Sequence, residues 1–168
     1  MSTPIPSDAL IAIDAALALL PARMDTPEAR VMMLAIGLQE SRFKHRQQLV
    51  GNPPTPTGPA KGLWQFERGG GATGVVNHEA SRYWMHSVCQ VRGVKFNATA
   101  LWNALKTDDI LAAAAARLLL FTDPKRLPVL GDEDGARRLY RRTWRPGKFH
   151  PETWPGFYAQ AVQFVGRS

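Results

Sequence analysis

The chain has 168 residues, 45% of them hydrophobic and 21% charged, enough for one domain that buries its core without staples. Its single cysteine, Cys89, excludes an internal disulfide and a thiolate-rich zinc site. The four histidines (His45, His78, His86 and His150) show no metal-ligand spacing, so neither metal nor cofactor is expected.

A formal net charge of +7 favours polyanions such as bacterial cell wall, lipopolysaccharide or nucleic acid, or simply solvates the surface. In chain order, the first feature is an apolar run from Ala9 to Leu20. No Lys or Arg precedes it, and Asp8 and Asp14 lie beside and within it, so no signal peptide is expected. The run is also too short to span a bilayer. Synthesis in the cytoplasm is therefore expected, and work at a cell wall would need delivery by another route.

Ser7 is expected to cap a helix running to about Leu20, stopped by Pro21. Thr26-Pro27-Glu28 is a stronger start, with a capping hydroxyl, a proline at the first helical position and an acid in the first turn. Val31, Leu34, Ala35 and Leu38 then recur at helical spacing, and Met32, Met33 and Ile36 widen the apolar face. This helix should be deeply buried and end near Glu40 to Arg42. Gly51 to Gly62, rich in proline, reads as a loop or small irregular hairpin, and Gly69-Gly70-Gly71 as a second mobile turn. Helices are expected from about His78 to Val91 and from Asn97 to Leu105. Asp108 should cap an alanine-rich helix, Ile110 to Phe121, that a neighbour can approach closely. Asp132 to Trp144 and Glu152 to Val165 complete the set. Strand signals are nearly absent. The expected fold is a single, mostly α domain with at most a small irregular β or loop region.

Chemistry concentrates at Gln39-Glu40-Ser41-Arg42-Phe43 and, about twenty residues later, at Gly62-Leu63-Trp64-Gln65-Phe66. A glycosidic oxygen is a poor leaving group, so the bond breaks only if an acid protonates it as it departs. Apolar surroundings from Leu34, Ile36 and Phe43 would keep Glu40 protonated, and so would its place at a helix C-terminus. Arg42 would oppose this if it paired with Glu40. The alternative is a plain surface acid.

These two segments resemble the "ES" and "GLMQ" signatures of the lysozyme-like domain of soluble lytic transglycosylases. The resemblance spans about Thr26 to Gly147. It implies that Glu40 is the catalytic acid and base, cleaving the MurNAc–GlcNAc backbone of peptidoglycan, and that Ser41 is its helper serine. It further implies that Gly62 lets the backbone approach the substrate and that the Gln65 amide bonds the N-acetyl sugar. Trp64 stands where the family has methionine and would give an apolar wall or ordinary core. Ala113-Ala114 through Leu118 loosely fits the family's next helix. Trp144-Arg145-Pro146-Gly147 stands where the family has "YNxG". Trp144 lacks the phenol that would touch the acid, although its indole could stack on a sugar ring. Tyr140, one turn earlier, could supply a hydroxyl or serve structurally.

Glu67 could reach the cleft as a second carboxylate and allow hydrolysis, or be a loop acid paired with Arg68 or another nearby base. The chain also resembles small lysozyme-like phage proteins carried in the virion, for which peptidoglycan and other tail or virion proteins would be the partners. Two other readings stay open. One is a structural virion component with little activity. The other is a nucleic-acid-binding helical domain suggested by Arg137, Arg138, Arg141, Arg142 and Arg145, although no DNA-reading motif accompanies that charge.

Overall fold

The structure, a computed structural model, describes residues 2–167. Eight α-helices are formed among these residues, and the only β contacts are isolated bridges: Gln47 with Lys61, Val50 with Thr55, and Lys61 with Phe66. The chain is thus mostly α, with its irregular β region between Gln47 and Phe66. Among the described residues no helix is long and apolar enough to cross a membrane.

Helix α1, Ser7–Ala18, buries Ala9, Ala12, Ile13, Ala16 and Leu17. Ser7 is its first residue rather than its cap; the capping position belongs to Pro6, which has no side-chain oxygen to offer. A short 3-10 turn, Ala22–Met24, follows Pro21. Helix α2, Pro27–Ser41, starts as the sequence suggests, with the Ala29 N–H donating to Thr26 Oγ1 at 3.1 Å. Every residue from Val31 to Leu38 is buried, so this helix is enclosed on all sides.

Two consecutive residues then take left-handed backbone, Arg42 at φ 52° and Phe43 at φ 55°. Side chains rarely adopt this region, and each such residue costs about 1–2 kcal/mol. The reversal folds Phe43 back onto the helix it has just left. There is room for its ring because position 37 is glycine: a Cβ on Gly37 would lie 2.1 Å from the Phe43 ring. Phe43 meets Trp64 edge-on at 5.5 Å.

Gly69-Gly70-Gly71 lies in a kinked turn, Arg68–Ala72, in which Gly70 leaves helical backbone at φ −103° and ψ −105°. The chain then enters α3, Thr73–Asn77, a helix absent from the sequence reading. Helix α4, Arg82–Arg92, starts later than expected because His78 ends α3 in extended backbone. The Ser81 hydroxyl there donates to the Val75 carbonyl at 2.8 Å. Helix α5, Ala98–Ala104, starts where the sequence suggests, with Asn97 as its cap, and α6, Asp109–Phe121, is capped by Asp108 as expected.

Leu111 through Leu120 are all buried in α6, and α1 lies against this alanine-rich helix. Arg117, the one buried cation among the described residues, donates from Nε to the Met24 carbonyl at 2.8 Å and ties α6 to the 3-10 turn. Asp132 caps α7, Glu133–Trp144; α8, Trp154–Gly166, packs along α2.

Gly37→Ala tests this packing. Alanine is the better helix former by about 1 kcal/mol, but overpacking a core costs about 1–3 kcal/mol. The Phe43 ring has little room to yield, so a net loss of about 1–2 kcal/mol is expected in urea denaturation. An unchanged or higher midpoint would show that the ring moves freely.

Candidate active site

A cleft of about 1030 Å³ opens where the end of α2, the Gln65–Gly71 segment and the end of α7 with its following turn come together. Glu40 reaches it from the last turn of α2. Across the cleft wall, the Tyr140 hydroxyl donates to Glu40 Oε1 at 2.5 Å. The phenol is held in place: its ring stacks on buried Trp154, with centroids 5.1 Å apart and planes 2° from parallel.

Burial is the main influence on Glu40 and pushes its carboxyl up to about 7. The Tyr140 hydrogen bond stabilises the ionised form and pulls the other way, while the negative charge of Glu67 adds to the rise. Arg42 does not neutralise Glu40. Its guanidinium lies over the Phe157 ring, 5.4 Å from the centroid, and no ion pair involves Glu40 among the described residues. Burial and the neighbouring Glu40 carboxylate also hold the Tyr140 phenol well above its usual range, so it remains a donor.

Several residues singled out in the sequence meet here, and several do not. Gln65, Glu67, Tyr140 and Trp144 line the cleft. Gln65 sits at φ 52° and donates from Nε2 to the Gly62 carbonyl at 2.8 Å. Trp144 presents a half-buried indole, edge-on to Phe66 at 5.8 Å, with its N–H held by the Trp64 carbonyl at 2.9 Å. Glu67 is exposed and does not pair with Arg68; no ion pair involves it among the described residues.

Ser41, Gly62 and Trp64 are corrections: all three are buried and none lines the cleft. The Ser41 hydroxyl donates to the Leu63 carbonyl at 2.6 Å, fastening the end of α2 to the Gly62–Phe66 loop. Gly62, at φ 82°, packs against Leu105, whose Cβ would lie 3.1 Å from a Cβ there. Its glycine is required by a turn and a helix contact rather than by an approach to ligand. Trp64 is core at 1% exposure, with its N–H donating to the Met33 carbonyl at 2.8 Å.

Two features were missed. Gln39 lines the cleft and accepts from Thr153 Oγ1 at 3.0 Å, a link to the start of α8 that no local pattern announces. Asp123 and Arg142, both lining the cleft, form a two-pronged ion pair at 2.6 and 3.2 Å. The basic cluster is therefore largely engaged, since Arg137 and Arg138 both pair with Asp134.

Among the described residues no group of three His, Cys, Asp or Glu is placed to hold a metal ion. Cys89 is buried, and that burial pushes its thiol up to about 11. No protein-family profile matches the chain, and neither characterised proteins nor solved structures gave a match.

A group whose carboxyl sits near 7 in the folded state and near 4.5 when free favours folding at low pH and loses that contribution as pH rises through 7. Glu40→Gln removes the dependence. Its melting temperature relative to the parent should therefore rise between about pH 5 and about pH 8. A constant difference would mean that Glu40 ionises as an ordinary surface acid.

Proposed function

We propose that this protein cleaves the MurNAc–GlcNAc backbone of peptidoglycan, with Glu40 as the acid that protonates the leaving oxygen. One observation carries the reading: a carboxyl raised to about 7 by burial stands at the edge of a large cleft, unpaired by any cation among the described residues. Such a group still holds a proton near neutral pH and can release it to substrate. The Trp144 indole suits stacking against a sugar ring, and the Gln65 amide suits an N-acetyl group. The net charge of +7 suits an anionic wall. The lysozyme-like resemblance of the two sequence segments points to the same chemistry, and a phage-encoded protein that opens the wall locally is the setting we propose for it.

In the single-carboxylate route, the Glu40 proton passes to the bridging oxygen as the bond to the anomeric carbon breaks. The sugar's own hydroxymethyl oxygen then attacks that carbon, and its proton returns to Glu40. The product has a 1,6-anhydro end and no water is consumed. Tyr140 stays hydrogen-bonded to Glu40 and stabilises the carboxylate that forms between these steps.

A second route has support of its own. Glu67 is a carboxylate in the same cleft with no ion pair among the described residues, and its charge acts on Glu40. With Glu67 as base, a water would attack instead and leave a reducing end.

Mass spectrometry of soluble products from purified peptidoglycan tests the proposal. Muropeptides should appear with the parent protein and fall at least about 100-fold in Glu40→Gln. Activity should decline as pH rises through about 7, as Glu40 loses its proton. Anhydro ends, one water lighter, would select the first route, and reducing ends the second. Release undiminished in Glu40→Gln would overturn the assignment, and no release from the parent would favour a structural fitting.

A further inference from the structure

The loop that joins α6 to α7, residues 122–132, leaves the cleft wall at Asp123 and Pro124 and carries Val129 and Leu130 toward its far end. These two neighbours are 69% and 46% exposed. Adjacent aliphatic side chains so open to water are unfavourable until something covers them.

The loop is not free to fold them away. Its entry is fixed by Asp123, which pairs with Arg142 and accepts from the Lys125 N–H at 3.1 Å. Leu127 packs against the core. The tip is a hydrogen-bonded turn: the Asp132 N–H donates to the Val129 carbonyl at 3.0 Å, and Gly131 takes φ 96°. From behind, the Gly131 N–H donates to the Tyr158 hydroxyl of α8 at 3.1 Å. Val129 and Leu130 are therefore held outward by a braced turn.

Charge in the same loop points to what covers them. Lys125 and Arg126 are exposed, and neither forms an ion pair among the described residues. Two of the acids that follow are engaged. Asp132 accepts from the Gly135 N–H at 2.9 Å, and Asp134 is held by Arg137 and Arg138. An apolar tip with unpaired cations matches an anionic bilayer, whose acyl boundary takes aliphatic groups and whose phosphates take cations.

We propose that this loop docks the protein on an anionic phospholipid surface, with Val129 and Leu130 entering the headgroup boundary and Lys125 and Arg126 meeting lipid phosphates. The docking is independent of any cleavage at Glu40.

Co-sedimentation with phospholipid vesicles in about 0.15 M salt, where screening limits the reach of the overall charge to about 8 Å, tests this. The full chain should bind vesicles of phosphatidylglycerol and phosphatidylethanolamine at least about tenfold more tightly than vesicles of phosphatidylcholine. Val129→Ser with Leu130→Ser should weaken that binding about tenfold at an unchanged melting temperature, because neither side chain supports the core. Lys125→Ala with Arg126→Ala should weaken it by about tenfold or more, at roughly fivefold for each cation lost. Arg137→Ala with Arg138→Ala, whose charges are already paired, should change it far less. Equal losses from the two cation-removing pairs, with none from the serine pair, would show that net charge alone draws the protein to lipid and would overturn the docking loop. Failure to bind the anionic vesicles would also overturn it and would make a protein the partner of this tip.

Discussion

The contact between the Tyr140 phenol and the Glu40 carboxyl is the constraint on which the rest of this site depends. Two opposed effects meet there. Burial disfavours the charged carboxylate, and a neutral hydrogen-bond donor favours it. Burial wins, with the carboxyl near 7 rather than 4.5, and the charge of Glu67 adds to it. A cation in place of the phenol would reverse the outcome, which is why the turning of Arg42 toward Phe157 matters as much as the contact that is made. The two partners are 100 residues apart in the chain, so the acid exists only once α2 and α7 have come together.

The packing behind the cleft explains how so polar a contact is held in register. α2 is apolar on every side over its central turns and can be displaced only by opening the core. Its last turn is fastened by the Ser41 hydroxyl to Leu63, while Trp64, anchored on Met33, fills the space beneath the loop. From the far side, Trp154 lies flat against Tyr140. The backbone strain at Arg42 and Phe43 is the cost of turning sharply enough for Glu40 to reach the cleft while Phe43 returns to the core.

Much of this was legible in the chain, and the remainder has physical reasons. Helix starts at Thr26, Asn97, Asp108 and Asp132 were readable because a side-chain oxygen before an apolar run satisfies N–H groups locally. The tendency of Glu40 to keep its proton was readable from its position at the end of a buried helix. Trp64 was not: a tryptophan one residue from a cleft-lining glutamine can face the ligand or the core, and only the Met33 carbonyl decides. Ser41 and Gly62 stand in the two segments that the sequence singles out, yet they hold the loop rather than the cleft, because their partners Leu63 and Leu105 are brought near by folding. The short helix after the glycine triad was missed for a similar reason. Three glycines disfavour helix on their own, and Gly70 stays non-helical, but Ala72 and Val75 bury against the core and draw the chain into α3.

The central claim is that Glu40 holds its proton close to neutral pH because the fold buries its carboxyl beside Tyr140. Carbon-detected NMR titration of the side-chain carboxyl groups, with Glu40→Gln to assign the signal, measures this directly. The account predicts a Glu40 midpoint near 7. A midpoint at the ordinary 4.5 would mean that the carboxyl is solvated in solution, and the acid this site is built around would be absent.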